Sequence, residues 1–235
     1  MSKAFLRHKE PVSRAGSRIR DFILGGQDGL VNVLGVVLGV ATATADTKIV
    51  LIAALAAAFA ESISMGAVAY TSFKAEKEYY LSEVAREKRE MKEVPLAEKK
   101  EIEDIYRKFG FTGSLLKKIV NHITSNKKRW LAVMMAQELK LYPSKVSPAN
   151  SALVVGIAAI VGSLIPVMPF LFMAIGSAVW TALVISTLVL FLMGFYAAKT
   201  TIGNPWKSGA ELATIGMLAA LVGYGVGAVL GATVH

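Results

Sequence analysis

Two sets of acidic residues in this sequence are spaced to meet a cation. The first is Glu87, Glu90, Glu98 and Glu101, followed later by Met134 and Glu138. Members of each pair lie three or four residues apart, so on helices each pair shares a face. Three such helices side by side would aim paired oxygen or thioether ligands at one volume. Carboxylates suit hard divalent ions such as Fe²⁺ and Mn²⁺, and a thioether biases a site toward a softer transition metal. Glutamate pairs inside helical bundles are a recognised way to hold such ions. Spacing alone leaves a plainer alternative open: Glu-rich amphipathic helices are commonly solvated faces, and Glu83, Glu93, Glu103 and Asp104 are equally acidic. The like-charged pairs Glu83–Glu87 and Glu87–Glu90 cost stability unless a cation neutralises them.

The second set sits in apolar surroundings. Asp28 lies with Gln27 and Asn32 inside "GGQDGLVNVLGVVLG", where a mid-bilayer carboxylate costs roughly 3 kcal/mol or more. Asp28, Asn32, Gly35 and Gly39 recur at helical spacing as a narrow polar stripe, and Asp21 lies two turns before Asp28. Further on, Glu61 and Met65 are four apart and share a face. Two intramembrane carboxylates near a methionine suit a cation pathway, the acids offering charge and protonation sites and the thioether disfavouring Mg²⁺ and Ca²⁺. Each residue also has a bland reading. Asp28 can cap a helix at an entry turn, Met65 can be packing, and Glu61 can be a salt-bridged or protonated structural acid.

The elements that must carry these residues are helices. The chain is 54% hydrophobic with a mean hydropathy of +0.51, above the soluble average. Ile49–Phe73 contains the single charge Glu61, and Ser151–Ala198 and Leu212–Val234 contain none. At about 20 apolar residues per span, and with Phe22–Ala45 as the first, five transmembrane helices result. The block from Ser151 predicts two spans turning at "IPVMP", Ile165–Pro169. Between spans two and three the chain turns Glu/Lys-rich without Gly or Pro until Pro95, which predicts one long helix running out of the membrane. A short helix follows, opened by Pro95 and closed at Gly110, then one or two more before Pro143. The expected fold is an all-α membrane protein with a cytoplasmic insert of three helices. Its parts are a basic tail (1–21), spans one and two (22–73), a cytoplasmic helical metal-binding domain (74–148) and spans three to five (149–235).

Charge sets the orientation. The first 20 residues hold six Lys/Arg against Glu10, and 74–148 hold 17 Lys/Arg against 11 Asp/Glu, which places both on the cytoplasmic side together with Lys199 and Lys207. This distribution assigns the net charge of +9 to topology rather than to nucleic acid. Met1–Arg20 reads as a tail that contacts anionic lipid, not as a cleavable signal. Gly35 and Gly39 form one GxxxG, and Gly223, Gly227 and Gly231 form two overlapping ones, suited either to seams within one subunit or to a dimer interface. Cysteine is absent, and no HExxH, GxSxG or Walker loop is present. An enzyme or an ATP-driven pump is therefore not expected, and transport would run on a gradient. The rival is a membrane-anchored metal sensor or buffer, which has no use for acids inside its spans.

The segments "GGQDGLVNVLGVVLGV", "AESISMGAVAY" and "MMAQE", with Glu87-x2-Glu90-x7-Glu98-x2-Glu101, together resemble the vacuolar iron transporter family from the first span through the fifth. That resemblance implies five-span subunits that form a homodimer and export Fe²⁺, or Mn²⁺ and other divalent ions, from the cytosol in exchange for protons, with metal as substrate and no prosthetic group. The family's cytoplasmic ligand positions fall on Glu87, Glu90, Glu98, Glu101, Met134 and Glu138, and its pathway positions on Asp28 and Met65. Glu61 and Asp21 are added from helical geometry. The absence of a targeting extension favours a bacterial or archaeal plasma membrane over a vacuolar one.

Overall fold

A computed structural model describes residues 14–144, 146–200 and 203–233, and every regular element among them is helical. Most of the expected basic tail lies outside the described residues. The chain divides into two compact units, one of Met1–Tyr70 with Pro148–His235 and one of Thr71–Ser147.

The first unit holds α1 (Arg14–Thr44), the opening stretch of α2 (Thr47–Glu93), α6 (Pro148–Phe172), α7 (Ile175–Lys199) and α8 (Pro205–Thr233). All five helices are long and apolar enough to cross a membrane. Local chemistry sets their starts. The Asp46 carboxylate accepts from the Lys48 and Ile49 amides at the head of α2, and Asn204 does the same for Trp206 and Lys207 at the head of α8, each satisfying amides that a helix start leaves orphaned. A core of Val33, Leu34 and Val37 from α1, Val50 and Ala54 from α2, Phe170 from α6 and Ala178 and Ala182 from α7 is almost wholly buried. Outward side chains such as Ile63, Trp180, Val184 and Val222 are large, apolar and exposed, as lipid-facing residues are.

One expectation changes here, and one open alternative closes. The turn between spans three and four falls at Met173–Ala174 rather than at Ile165–Pro169, because Pro166 and Pro169 lie inside α6. Both prolines are buried, and membrane helices accept proline where neighbouring helices compensate the lost bond. The first helix also begins well before Phe22, so the "GGQDG" segment is helical and Asp28 caps nothing. Its glycines instead admit α6: a Cβ on Gly25 or Gly29 would fall 2.3 Å from the carbonyl oxygens of Val155 and Ala159, respectively.

The GxxxG stripes form a seam within one chain. A Cβ on Gly223 would lie 2.4 Å from the Gly35 oxygen, and one on Gly227 would lie 2.1 Å from the Gly39 oxygen. The backbones of α1 and α8 therefore touch, as small-residue faces permit.

The second unit contains the α2 stretch from Thr71, then α3 (Pro95–Lys108), α4 (Gly113–Thr124), α5 (Lys127–Val133) and a π-helical turn, Met134–Glu138. Pro95 occupies the first turn of α3, and Gly110, at φ 91°, takes the left-handed conformation just past its end, where glycine has no Cβ penalty. Asn126 caps α5 through the Lys128 and Arg129 amides. Ile102, Leu116, Val120, Ile123, Trp130 and Met134 form a small core.

Candidate metal-binding and transport sites

In the second unit, α2 supplies Glu83, Glu87 and Glu90, α3 supplies Glu98 and Glu101, and the π turn supplies Glu138. Carboxylate oxygens of Glu87, Glu90 and Glu98 all lie within 4.8 Å of one another. Glu87 and Glu98 are only 2% and 3% exposed, and one oxygen of each is buried without a hydrogen-bond partner. An orphaned buried carboxylate oxygen is costly, and a cation would satisfy it.

The electrostatics draw in the remaining glutamates. Burial, then the charges of Glu101, Glu87, Glu138 and Glu90, push the Glu98 carboxyl up to about 7. Glu138 is also pushed up to about 7, by desolvation, by Glu101 and Glu87 and by a hydrogen bond with Glu101, with Arg86 opposing. Glu87 is raised by burial and by Glu90. Five glutamates thus sense one another from three elements. Met134, fully buried, stands at the head of the turn that ends in Glu138 and packs in the small core. The turn is wound i→i+5, with the Leu139 amide donating to the Met134 oxygen at 3.2 Å. Single π turns occur often at functional sites.

Equally acidic neighbours are sorted away from this group. Glu103 and Asp104 pair with Arg107 along α3. Glu83 pairs with Arg86 at 2.7 Å, and the same guanidinium lies 3.6 Å from Glu87 and 3.9 Å from Glu90. Arg86 is absent from the sequence-based site, although Glu83, Arg86 and Glu90 sit at i−3 and i+4, a spacing that signals one shared face.

In the first unit, the Asn32 amide nitrogen donates to a Glu61 carboxylate oxygen at 2.5 Å, tying α1 to α2. Asp28, one turn before Asn32 and half-buried, lies close to the same Glu61 carboxylate. Met65, also half-buried, follows one turn after Glu61 on α2. Asp21 is 3% exposed and pairs with Arg20 at 3.2 Å rather than with the other acids. Close by on α2, Ser62 donates to the Gly156 oxygen of α6 at 2.7 Å, which fixes the helix that carries Glu61. An open apolar crevice of about 760 Å³ runs between α1, α2 and α8, with Asn32, Gly35 and Gly39 along one wall.

The profile of the VIT family matches residues 19–228. The chain is 33% identical over 222 residues to a vacuolar iron transporter of Centaurea cyanus, covering 94% of this chain and 91% of that one. It is 33% identical to vacuolar iron transporter 1 of Arabidopsis thaliana, covering 92% and 88%. It is 32% identical to a vacuolar iron transporter of Toxoplasma gondii, covering 95% and 78%. These relatives are vacuolar by name and lend no support to a bacterial or archaeal plasma membrane.

Proposed function

Because this chain belongs to the VIT family of metal transporters and is an integral membrane protein, we propose that it is a secondary transporter exporting Fe²⁺, and other first-row divalent ions such as Mn²⁺, from the cytosol by proton antiport. The observation that carries this reading is the convergence of Glu87, Glu90 and Glu98 within 4.8 Å, two of them with buried, unpartnered oxygens. With Glu101, Glu138 and the Met134 thioether they gather cargo from the cytosol. The orphaned oxygens fit a divalent ion, and the all-oxygen and thioether donor set fits a first-row metal.

The pathway runs past Asp28, Glu61 and Met65. A dehydrating cation needs fixed negative charge where lipid supplies none, and the same carboxylates can carry protons in the return direction. Asp21, buried near the start of α1, serves the cytoplasmic entrance. Lys199 and Lys207, beside the exposed aromatics Tyr196 and Trp206, support a cytoplasmic interface at the end of α7 and the start of α8. The chain acts as a homodimer. Asn32, although its amide nitrogen bonds Glu61, is exposed midway along the first span beside the open apolar crevice, and polar surface facing lipid is costly, so a second copy covers that face of α1. The native chain lacks cysteine, so cross-linking of a Val36→Cys variant reports the contact directly.

The test is Fe²⁺ and Mn²⁺ flux in proteoliposomes with an imposed pH gradient. Uptake that follows the gradient and stops when a protonophore collapses it supports antiport. Metal binding without flux under any gradient leaves a membrane-anchored buffer.

A further inference from the structure

Arg86 stands among carboxylates that the metal reading assigns to cargo, yet it is itself a cation. Its guanidinium makes one direct, charge-assisted hydrogen bond, to Glu83 at 2.7 Å; the approaches to Glu87 at 3.6 Å and Glu90 at 3.9 Å are ion pairs longer than hydrogen bonds. Its Nε is buried and has no hydrogen-bond partner. Among the described residues it is the one Lys or Arg in ion-pair contact with any of the five clustered glutamates. The guanidinium is thus anchored firmly on a residue outside the ligand set and loosely on two residues inside it.

We propose that Arg86 is a built-in competitor for the metal: in the empty site it neutralises Glu87 and Glu90, and an arriving divalent ion displaces it onto Glu83 alone. The proposal rests on the reading of the glutamate cluster as a metal site. Five carboxylates facing no counter-charge repel one another when empty and hold a divalent ion hard when filled. A resident monovalent cation on a flexible stem relieves the first problem and moderates the second, so that cargo is gathered and still released. Glu83 is what makes the exchange inexpensive, because the displaced guanidinium keeps its strongest bond. No covalent step is involved. Arginine fits the part better than lysine, since its planar fork reaches several carboxylates at once and it stays charged throughout.

A purely structural Arg86, one that holds the glutamates together, makes the opposite prediction, and the sign of one measurement separates the two. Mn²⁺ binding is titrated calorimetrically on the metal-free, full-length, detergent-solubilised protein at pH 8. Removing a like charge within a few ångströms of the ion should tighten binding about tenfold or more in Arg86→Gln, by analogy with the one to three pK units that a neighbouring charge moves a titrating group. Arg86→Lys keeps the charge but reaches fewer carboxylates, and should tighten binding in the same direction by less; it serves if the glutamine variant does not fold. Weaker or unchanged binding in the variants, with wild-type binding intact, overturns the competitor role and leaves the metal site standing. A wild-type protein that binds no Mn²⁺ removes the metal site itself, and the competitor role with it.

Discussion

The glutamates of the second unit crowd around one arginine, whereas in the first unit Asp28 and Glu61 face each other beside the neutral amide of Asn32. The partner differs because the solvent differs. Near water, a guanidinium can sit 42% exposed among carboxylates and let several of them accumulate at modest cost. Within a span, a fixed arginine would itself need burial and pairing, and it would repel the ion meant to pass. An amide donates a hydrogen bond without adding charge, so the negative charge of the pair is left for a mobile cation, metal or proton. On the proposed function, gathering cargo and passing it on call for different companions to the same carboxylate chemistry.

The largest effect expected from this contrast is at Asp28. Asp28→Ala should bring gradient-driven metal flux down to the leak of empty vesicles while the second unit still binds Mn²⁺. Flux that survives would mean that the Asp28–Glu61 pair is structural. Next is Glu98→Ala, which removes a proposed ligand with a buried, unpartnered oxygen. Mn²⁺ affinity should fall roughly tenfold or more, and flux should weaken at low metal yet recover at high metal. Flux lost at every metal concentration would erase the division of labour, because the pathway would then depend on a filled gathering site.

A smaller effect tests whether the membrane acids depend on tight helix packing. Gly227→Ala puts a methyl group 2.1 Å from the Gly39 oxygen, whereas on Gly35 the nearest atom is the Ala219 oxygen at 3.7 Å, an ordinary contact. Gly227→Ala should lose about 1–3 kcal/mol through overpacking, read as a lower melting temperature in detergent, and Gly35→Ala should stay near wild type. Equal losses would show that the seam described here is not the one holding α1.

Much of this architecture is legible in the sequence because membrane helices announce themselves by length and apolarity. The break at Pro95 and the cap at Gly110 are legible because each residue type has one cheap backbone role. The turn after α6 is not, since Pro166 and Pro169 stop helices in water but are tolerated in a bundle whose neighbours compensate them. The glycine stripes announce close approach without saying to what; only packing pairs Gly35 with Gly223 and Gly39 with Gly227. At the glutamate cluster, spacing nominates Glu87, Glu90, Glu98 and Glu101 but treats Glu103 and Asp104 as their equals. Arg107 removes those two by pairing within α3, and Arg86 enters unnoticed because a basic residue does not look like part of a metal site.

The smallest expected effect is on stability, and its sign follows from the direction of the shifts. Glu98 and Glu138 stand at about 7 in the folded protein against an ordinary 4.5. Between those values the native state holds more protons than the unfolded chain, so stability falls as pH rises. The loss is absent below about 4.5 and complete above about 7, where both carboxylates ionise against Glu101 and Glu87. The metal-free protein should therefore melt a few degrees lower at pH 8 than at pH 6, and Glu98→Gln should flatten that slope by removing one of the two groups. Added Mn²⁺ should raise the melting temperature more at pH 8 than at pH 6, because the ligands must shed protons to bind it. A metal-free protein that gains stability toward pH 8 would mean that its glutamates already have sufficient counter-charge, and that the crowding around Arg86 leaves no room for a divalent ion to relieve.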